Sequence, residues 1–225
     1  MLPRVLEPEV MDSPEEALAY DAMDHREVNR QFVDDLLEAA RRFQVPLEEV
    51  ILDVGTGTAQ IPVELCSRDP RYRVLGIDLA AAMLDLGMVN VEAAGLREQI
   101  QLQQVDAKQL PFASGSFACV MSNSIVHHIP DPAVVLREMW RVVRAGGMVF
   151  VRDLMRPPDQ ATLDHLVRTY AAEADSQQQA MFRASLHAAL TVPEVRQLVE
   201  AFGCPAETVQ ATSDRHWTWA ARKEE

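Results

Sequence analysis

The chain has 225 residues, of which 48% are hydrophobic and 24% charged, as is ordinary for a globular protein of one sizeable domain. Acidic residues outnumber basic ones 34 to 21, and the formal charge of -13, without a basic patch, disfavours nucleic-acid binding. The sequence has no run of about 18 apolar residues that would predict a membrane span. Its acidic, proline-bearing start does not resemble a secretory signal. We therefore expect a cytoplasmic protein without membrane or nucleic-acid partners, and the sequence leaves its oligomeric state unknown.

The three cysteines, Cys66, Cys119 and Cys204, are odd in number and lack a CxxC spacing. That pattern fits neither a disulfide framework nor a zinc cluster. We expect buried free thiols.

The first 46 residues are expected to form an N-terminal helical cap. Residues 1–17 carry several acids and prolines, which predicts a poorly ordered lead-in. Residues 29–43 have apolar side chains at helical spacing, and Pro46 follows soon after, so a helix is predicted there.

From residue 50 onward, short apolar runs alternate with longer helical patterns. Strands are predicted at 50–54, 72–78, 100–106, 117–123 and 147–153, with helices at about 59–68, 80–94 and 131–144. The last helix has Asp131 as its cap, Pro132 at its first position and Gly146 beyond its end. This alternation predicts an α/β fold with a Rossmann-like, doubly wound mixed sheet of about seven strands and helices on both faces.

The end of the chain departs from the alternation. Residues 159–188 are helical in pattern, residues 193–203 form a further amphipathic helix closed by Gly203, and residues 207–222 predict an antiparallel hairpin. Trp217 and Trp219 share one face of its second strand, which favours packing. We expect one domain over 1–225, with an α/β core at 50–154 that carries the ligand-binding site, a helical insertion at 155–191 that would act as a lid, and a final helix and hairpin at 192–225.

The stretch LDVGTGTAQIP, residues 52–62, is a strand followed by a glycine loop and a helix start. Glycines at such a turn let a ligand approach the backbone closely. The dinucleotide fingerprint needs a third glycine where Gln60 stands. Asp78, at the end of the next strand, could accept hydrogen bonds from both hydroxyls of a ribose. The pattern therefore predicts an adenosine ligand without specifying which one.

Three runs in order, LDVGTGTAQIPVEL, VLGIDLAAAML and VDAKQLPFASGSFACVMSNSIVHHIPDPAVVLREMWRVVRAGGMVFVRDL, resemble the class I S-adenosylmethionine-dependent methyltransferases over about residues 50–154. The resemblance implies S-adenosylmethionine as cofactor and S-adenosylhomocysteine as product. It also implies a set of cofactor-binding residues. They are Asp53, Gly55, Thr56, Gly57 and Asn123 at the methionine half, Tyr20 at its carboxylate, Asp78 at the ribose, Leu79 and Met83 beside the ribose and adenine, and Asp106 and Ala107 at the adenine.

Some of these residues have structural interpretations too. Asp53 could instead accept hydrogen bonds from loop amides, and Leu79 and Met83 could be core residues. The segment around Tyr20 could be a helix start that faces solvent.

Three histidines are candidate catalytic residues: His127 and His128 after the fourth strand, and His25 near the amino-terminal helix. An imidazole with a pKa of about 6.5 can take a proton from an acceptor. If the segment is extended, adjacent side chains point opposite ways, and His127 and His128 then cannot easily both face a pocket. We expect no metal, since no carboxylate stands at a zinc-like spacing from the pair.

The predicted function is methyl transfer from S-adenosylmethionine to a small-molecule acceptor. A thiol, hydroxyl, amine or carboxylate acceptor remains open, as does a carbanion. Two alternatives are an S-adenosylmethionine-binding module without catalysis and a dinucleotide-dependent oxidoreductase, the second weakened by the missing third glycine.

Overall fold

The computed structural model describes residues 2–7 and 12–224. Its seven strands lie in one mixed sheet with the order β3-β2-β1-β4-β5-β7-β6. They are β1 (Val50–Val54), β2 (Arg73–Asp78), β3 (Ile100–Gln104), β4 (Phe117–Asn123), β5 (Val143–Leu154), β6 (Val209–Ala211) and β7 (His216–Arg222). β1 pairs in parallel with β2 and β4, while β6 and β7 are antiparallel. The predicted Rossmann-like sheet and its terminal hairpin are confirmed.

Eight α-helices occur within the described residues. They are α1 (Pro14–Asp21), α2 (Arg26–Phe43), α3 (Gln60–Cys66), α4 (Ala81–Ala93), α5 (Pro132–Val142), α6 (Gln160–Tyr170), α7 (Ser176–Ala188) and α8 (Val192–Glu200). No helix among them is both long and apolar enough to span a bilayer.

The described chain divides into two compact units. The core unit comprises residues 12–123, 137–151 and 220–224. The histidine unit, named for His127 and His128, comprises residues 2–7, 124–136 and 152–219.

The core unit buries the apolar face of α2. Phe32, Val33 and Leu36 are fully buried, and Phe32 meets Phe150 of β5 edge to face, with ring centroids 5.2 Å apart. Burial of each such side chain stabilises the fold by about 1.5–3 kcal/mol. In this unit the chain order of the strands reverses between β1 and β4, and in open α/β sheets ligands bind outside the carboxyl ends of the strands at such a point.

The histidine unit has its own small apolar cluster. Leu163 and Leu166 of α6 pack with Leu186 of α7, all of them buried. The predicted helical region at 159–188 is broken between these helices, because Asp175 caps α7 through the amide of Gln178.

The amino terminus differs from the predicted disordered lead-in. The amide of Leu2 donates to the carbonyl of Pro158, and that of Val5 donates to the carbonyl of His187, so residues 2–7 are held by hydrogen bonds. Ser13 and Glu16 form a capping box that starts α1. The part of the prediction that falls on Met1 and on residues 8–11 lies outside the described residues.

Two further predictions concern buried side chains. All three cysteines are free and buried, as expected. Trp217 and Trp219 are fully buried, which confirms packing.

Candidate functional site

The glycine loop follows β1 in the core unit. Gly55 and Gly57 have φ values of 75° and 54°, in the left-handed region that L side chains avoid. The amides of Gly55 and Thr56 donate to the carbonyl of Ile77 over 2.8 and 2.9 Å, which fastens the loop to β2. The two glycines are therefore required by this backbone path.

Asp78, the predicted ribose ligand, also holds the loop. Its Oδ2 accepts from the amide of Gly57 at 2.8 Å and its Oδ1 from the amide of Ala80 at 3.0 Å. Burial raises the pKa of the Asp78 carboxyl, and these amide donors partly oppose the rise. The carboxylate thus fixes the Gly57 turn while sitting at the end of β2.

A cleft lies at this edge of the core unit, around the loop. It is lined by Tyr20, Asn29, Asp53, Gly55, Thr56, Gly57, Thr58, Gln60, Ile61 and Asn123. Six of these are predicted cofactor residues: Tyr20, Asp53, Gly55, Thr56, Gly57 and Asn123. The lining therefore brings together the loop, the end of β4 and the end of α1.

The other five predicted residues are not part of that lining. Asp78 reaches it through Gly57. Met83 is buried against Ala17 and Ala80, consistent with the packing interpretation. The carbonyl of Leu79 accepts from Gln104, and the carboxylate of Asp106 lies 3.0 Å from the ammonium of Lys108. Ala107 follows Asp106 in the loop after β3, and a role for these residues at an adenine stays a prediction.

Four lining residues were not predicted: Asn29, Thr58, Gln60 and Ile61. Gln60 accepts from Asn29 at 3.2 Å and donates to the carboxylate of Asp21 at 2.8 Å. This amide side chain therefore links α1, α2 and α3 at the position where the dinucleotide fingerprint would place a glycine. The available signal was the departure of Gln60 from that fingerprint.

The charge of the cleft distinguishes between ligands. Its described lining holds the carboxyl of Asp53 and neither lysine nor arginine. Burial raises the pKa of Asp53 to about 7; the nearby Thr56 hydroxyl opposes the rise and the negative charge of Asp78 adds to it. Such a lining suits a ligand that carries positive charge and is a poor match for the phosphates of a dinucleotide.

Tyr20 and His25 form an aromatic pair in the core unit. Their ring centroids are 4.9 Å apart. Burial, together with the negative charges of Asp78, Asp21 and Asp53, raises the pKa of Tyr20 to about 12. Burial lowers the pKa of His25, so its imidazole is neutral at pH 7, and its Nε2 makes no hydrogen bond with the described residues. His25 can therefore accept a proton.

His127 and His128 lie in the histidine unit, on a short 3₁₀ turn at Val126–His128. His127 is buried, with Nδ1 2.5 Å from Oδ1 of Asp153. Burial alone would lower the pKa of His127, but the adjacent Asp153 carboxylate outweighs it and the net pKa is raised. Their predicted catalytic role stays a prediction.

Comparison with known proteins shows which class of protein this chain is similar to. Residues 52–151 match the family described as "Methyltransferase domain". The ubiquinone/menaquinone biosynthesis C-methyltransferase UbiE of Geotalea daltonii is 32% identical over 108 residues, which are 48% of this chain and 46% of the relative. The demethylmenaquinone methyltransferase of Geobacillus stearothermophilus is 32% identical over 139 residues, 61% of this chain and 59% of the relative.

A solved structure is similar over the whole chain. A Methanococcus maripaludis protein described as a putative S-adenosylmethionine-dependent methyltransferase aligns with a TM-score of 0.72 at 15% identity, covering 98% of each chain. This likeness concerns the fold. The chain spans about half the length of the first curated relatives it matches.

Residues 52–151 thus match a methyltransferase domain family, and the fold and the glycine loop agree with a class I S-adenosylmethionine-dependent methyltransferase domain. The predicted family and cofactor are confirmed, and the oxidoreductase alternative is overturned, since the matched family is one of methyltransferases. The residues of this lining are compatible with the cofactor, because among the described ones there is no lysine or arginine to repel a sulfonium or an ammonium group, and the Asp53 carboxyl lies beside it.

Proposed function

We propose that this protein transfers a methyl group from S-adenosylmethionine to a small-molecule acceptor. The observation that carries the proposal is the acidic cleft on the glycine loop, lined by six residues predicted from sequence. The cofactor supplies an electrophilic methyl group on a sulfonium. Asp53, Thr56 and Asn123 would hold its methionine half, and Asp78 its ribose.

His25 is the proposed general base. The enzyme must hold the acceptor nucleophile about 3 Å from the methyl group, and a protonated nucleophile also needs a base. His25 is neutral at pH 7, and its ring packs at a tilt against that of Tyr20, which lines the cleft. Tyr20, with its pKa near 12, stays protonated and can donate a hydrogen bond. Together they can orient an acceptor and remove its proton.

The proposed acceptor is a small hydroquinone or phenol methylated at a ring carbon. The names of the relatives from Geotalea daltonii and Geobacillus stearothermophilus support this choice. Deprotonation of a phenolic hydroxyl by His25 makes the adjacent ring carbon nucleophilic. After that carbon takes the methyl group, its own proton is lost and the hydroxyl is reprotonated, which restores the aromatic ring. Thiols, alcohols, amines and carboxylates are the competing acceptors.

Release of S-adenosylhomocysteine tests the proposal. Purified protein is incubated with the cofactor and a panel of hydroquinones, phenols, thiols, amines and carboxylates. We expect turnover with a hydroxylated ring, and His25→Asn should lower kcat by about 10²–10⁴-fold. The matched control is His165→Asn, an exposed histidine, which should keep full activity.

Two other results would change the proposal. Tight binding of S-adenosylhomocysteine without turnover of any acceptor would favour the binding module. Full activity of His25→Asn would remove the proposed base.

A further inference from the structure

The amino-terminal segment brings a carboxylate to the paired histidines of the histidine unit. Oε1 of Glu7 lies 3.4 Å from Nε2 of His127 and 3.3 Å from Nδ1 of His128. One ligand atom from each of these three residues lies within 4.8 Å of those of the other two. Imidazole nitrogens and a carboxylate oxygen are the ligand types that Zn²⁺ takes in proteins.

Glu7 is held in this place by contacts on its own segment. The guanidinium of Arg4 donates to the carbonyls of Ala188, His127, Ile129 and Pro130 over 2.7–3.2 Å. The second carboxylate oxygen of Glu7 accepts from the hydroxyl of Ser185 at 3.3 Å. Oε1 is buried and accepts no hydrogen bond from the described residues. The carboxylate is therefore oriented, with Oε1 turned to the two rings.

His127 is oriented in the way a metal-ligating histidine usually is. Asp153 is fully buried, and its Oδ2 accepts from the amides of Val126 and His127 at 2.5 and 3.2 Å. Its Oδ1 lies 2.5 Å from Nδ1 of His127. A proton on Nδ1 satisfies this contact and leaves the Nε2 lone pair directed at Glu7. A carboxylate behind the imidazole is the common support for a zinc-bound histidine.

The ligand spacing also fits a metal. A charge-assisted hydrogen bond between an imidazole and a carboxylate is about 2.7–2.9 Å long, shorter than both distances to Glu7. With metal–ligand bonds of about 2.0–2.1 Å, two ligands of a tetrahedral ion are about 3.3–3.4 Å apart. The observed separations of 3.4 and 3.3 Å match that edge.

We propose that Glu7, His127 and His128 bind one divalent transition-metal ion, with zinc the first candidate and Asp153 the supporting carboxylate. Three protein ligands leave a fourth position for water. The ion clamps the amino-terminal segment to the 3₁₀ turn. Spacing along the sequence gave no reason to expect it, because Glu7 is far from the histidines in the chain. The proposal does not depend on the proposed methyl transfer.

Metal content tests the site directly. Full-length protein without a histidine tag is loaded with Zn²⁺, desalted, and analysed by mass spectrometry for metal per chain, with affinity measured against a chromophoric chelator. We expect about one ion per chain, and a visible spectrum typical of four-coordinate Co²⁺ after cobalt substitution. Glu7→Gln and His128→Asn should each weaken Zn²⁺ affinity at least about 10-fold, and Asp153→Asn by about 10–100-fold.

The control variant is His165→Asn, which removes an exposed histidine outside the cluster and should keep the ion and its affinity. Circular dichroism checks that each variant is folded. No retained zinc in the wild-type protein would overturn the site in favour of a metal-free ion pair. Retention with unchanged affinity in folded Glu7→Gln and His128→Asn would overturn it in favour of binding elsewhere, for example at a thiol.

Discussion

The glycine loop of the core unit is built mostly from residues 53–60, whereas the histidine cluster collects Glu7, His127 and Asp153 from three distant segments. Both place carboxylates in buried positions, but they stabilise them differently. The described cleft around Asp53 holds no lysine or arginine, and burial raises the pKa of Asp53 to about 7, while His127 beside Asp153 lowers the pKa of that carboxyl despite burial. The local motif thus holds a carboxyl, Asp53, with no cationic partner in the described cleft. The long-range cluster holds a carboxyl, Asp153, that is paired with His127.

The largest effect is expected in the pH dependence of the free energy of unfolding, through the titration of Asp53. Because its pKa is about 7 in the fold and near 4 in the unfolded chain, its contribution to stability is fully present below pH 4 and is lost as pH rises through 7. The loss is at most about 4 kcal/mol. Urea denaturation at pH 4.5 and 7.5 should show a smaller decrease in unfolding free energy for Asp53→Asn than for wild type. The exposed Asp85→Asn serves as control, and equal decreases in all three proteins would contradict the account.

The next largest effect on stability is expected at Arg4, which holds the amino-terminal segment beside the histidines. Arg4→Ala removes a half-buried guanidinium that serves four carbonyls, and should lower the free energy of unfolding by about 2 kcal/mol. Thermal or urea denaturation measures it. Arg26→Ala, whose side chain is 86% exposed, should change stability by less than about 0.5 kcal/mol. Similar small effects for both would show that the amino-terminal segment contributes little.

A substitution at Gly57 tests whether the glycine loop contacts the cofactor. Gly57→Ala forces a side chain onto a φ of 54° and should cost about 1–2 kcal/mol of stability, with at least about a 10-fold loss of S-adenosylhomocysteine affinity. Gly95→Ala has comparable strain, at φ 71°, but Gly95 is not part of the cleft lining. Calorimetry should therefore show weakened binding only for Gly57→Ala. Equal affinities would mean that the loop does not touch the ligand.

The smallest effect concerns Gln60. Gln60→Gly completes the spacing of the dinucleotide fingerprint but removes the hydrogen bonds to Asn29 and Asp21. We expect a loss of about 1 kcal/mol in stability and no gain of NADH binding. Binding of NADH by this variant, measured by fluorescence, would show that a single side chain separates the two ligand classes.

The contrast between the glycine loop and the histidine cluster also explains which features could be predicted from the sequence. The sheet and the terminal hairpin were predicted because strand periodicity and turn signals are encoded within a few positions. The six cleft residues were predicted only through the resemblance of the glycine loop and the following runs to the methyltransferases. The contact of Glu7 with His127, and the ordered segment that carries it, were not predicted. They depend on hydrogen bonds from Arg4 to carbonyls more than 120 positions away, which leave no local pattern.

For Asp78, the position was predictable but one of its contacts was not. Its place at the end of β2 was predicted from the alternation of strands and helices. Its hydrogen bond to the Gly57 amide was not, since that contact depends on the backbone path of the loop.

The most direct measurement is calorimetric titration of the wild-type protein, Asp78→Asn and Asp85→Asn with S-adenosylhomocysteine. Asp78→Asn keeps the size of the side chain but removes the charge that receives the Gly57 amide and faces the proposed ribose site. The account predicts tight binding to wild type and Asp85→Asn, and at least about a 10-fold weaker affinity for Asp78→Asn. Equal affinity in all three proteins, or no binding to wild type, would contradict the assignment of this cleft to the cofactor.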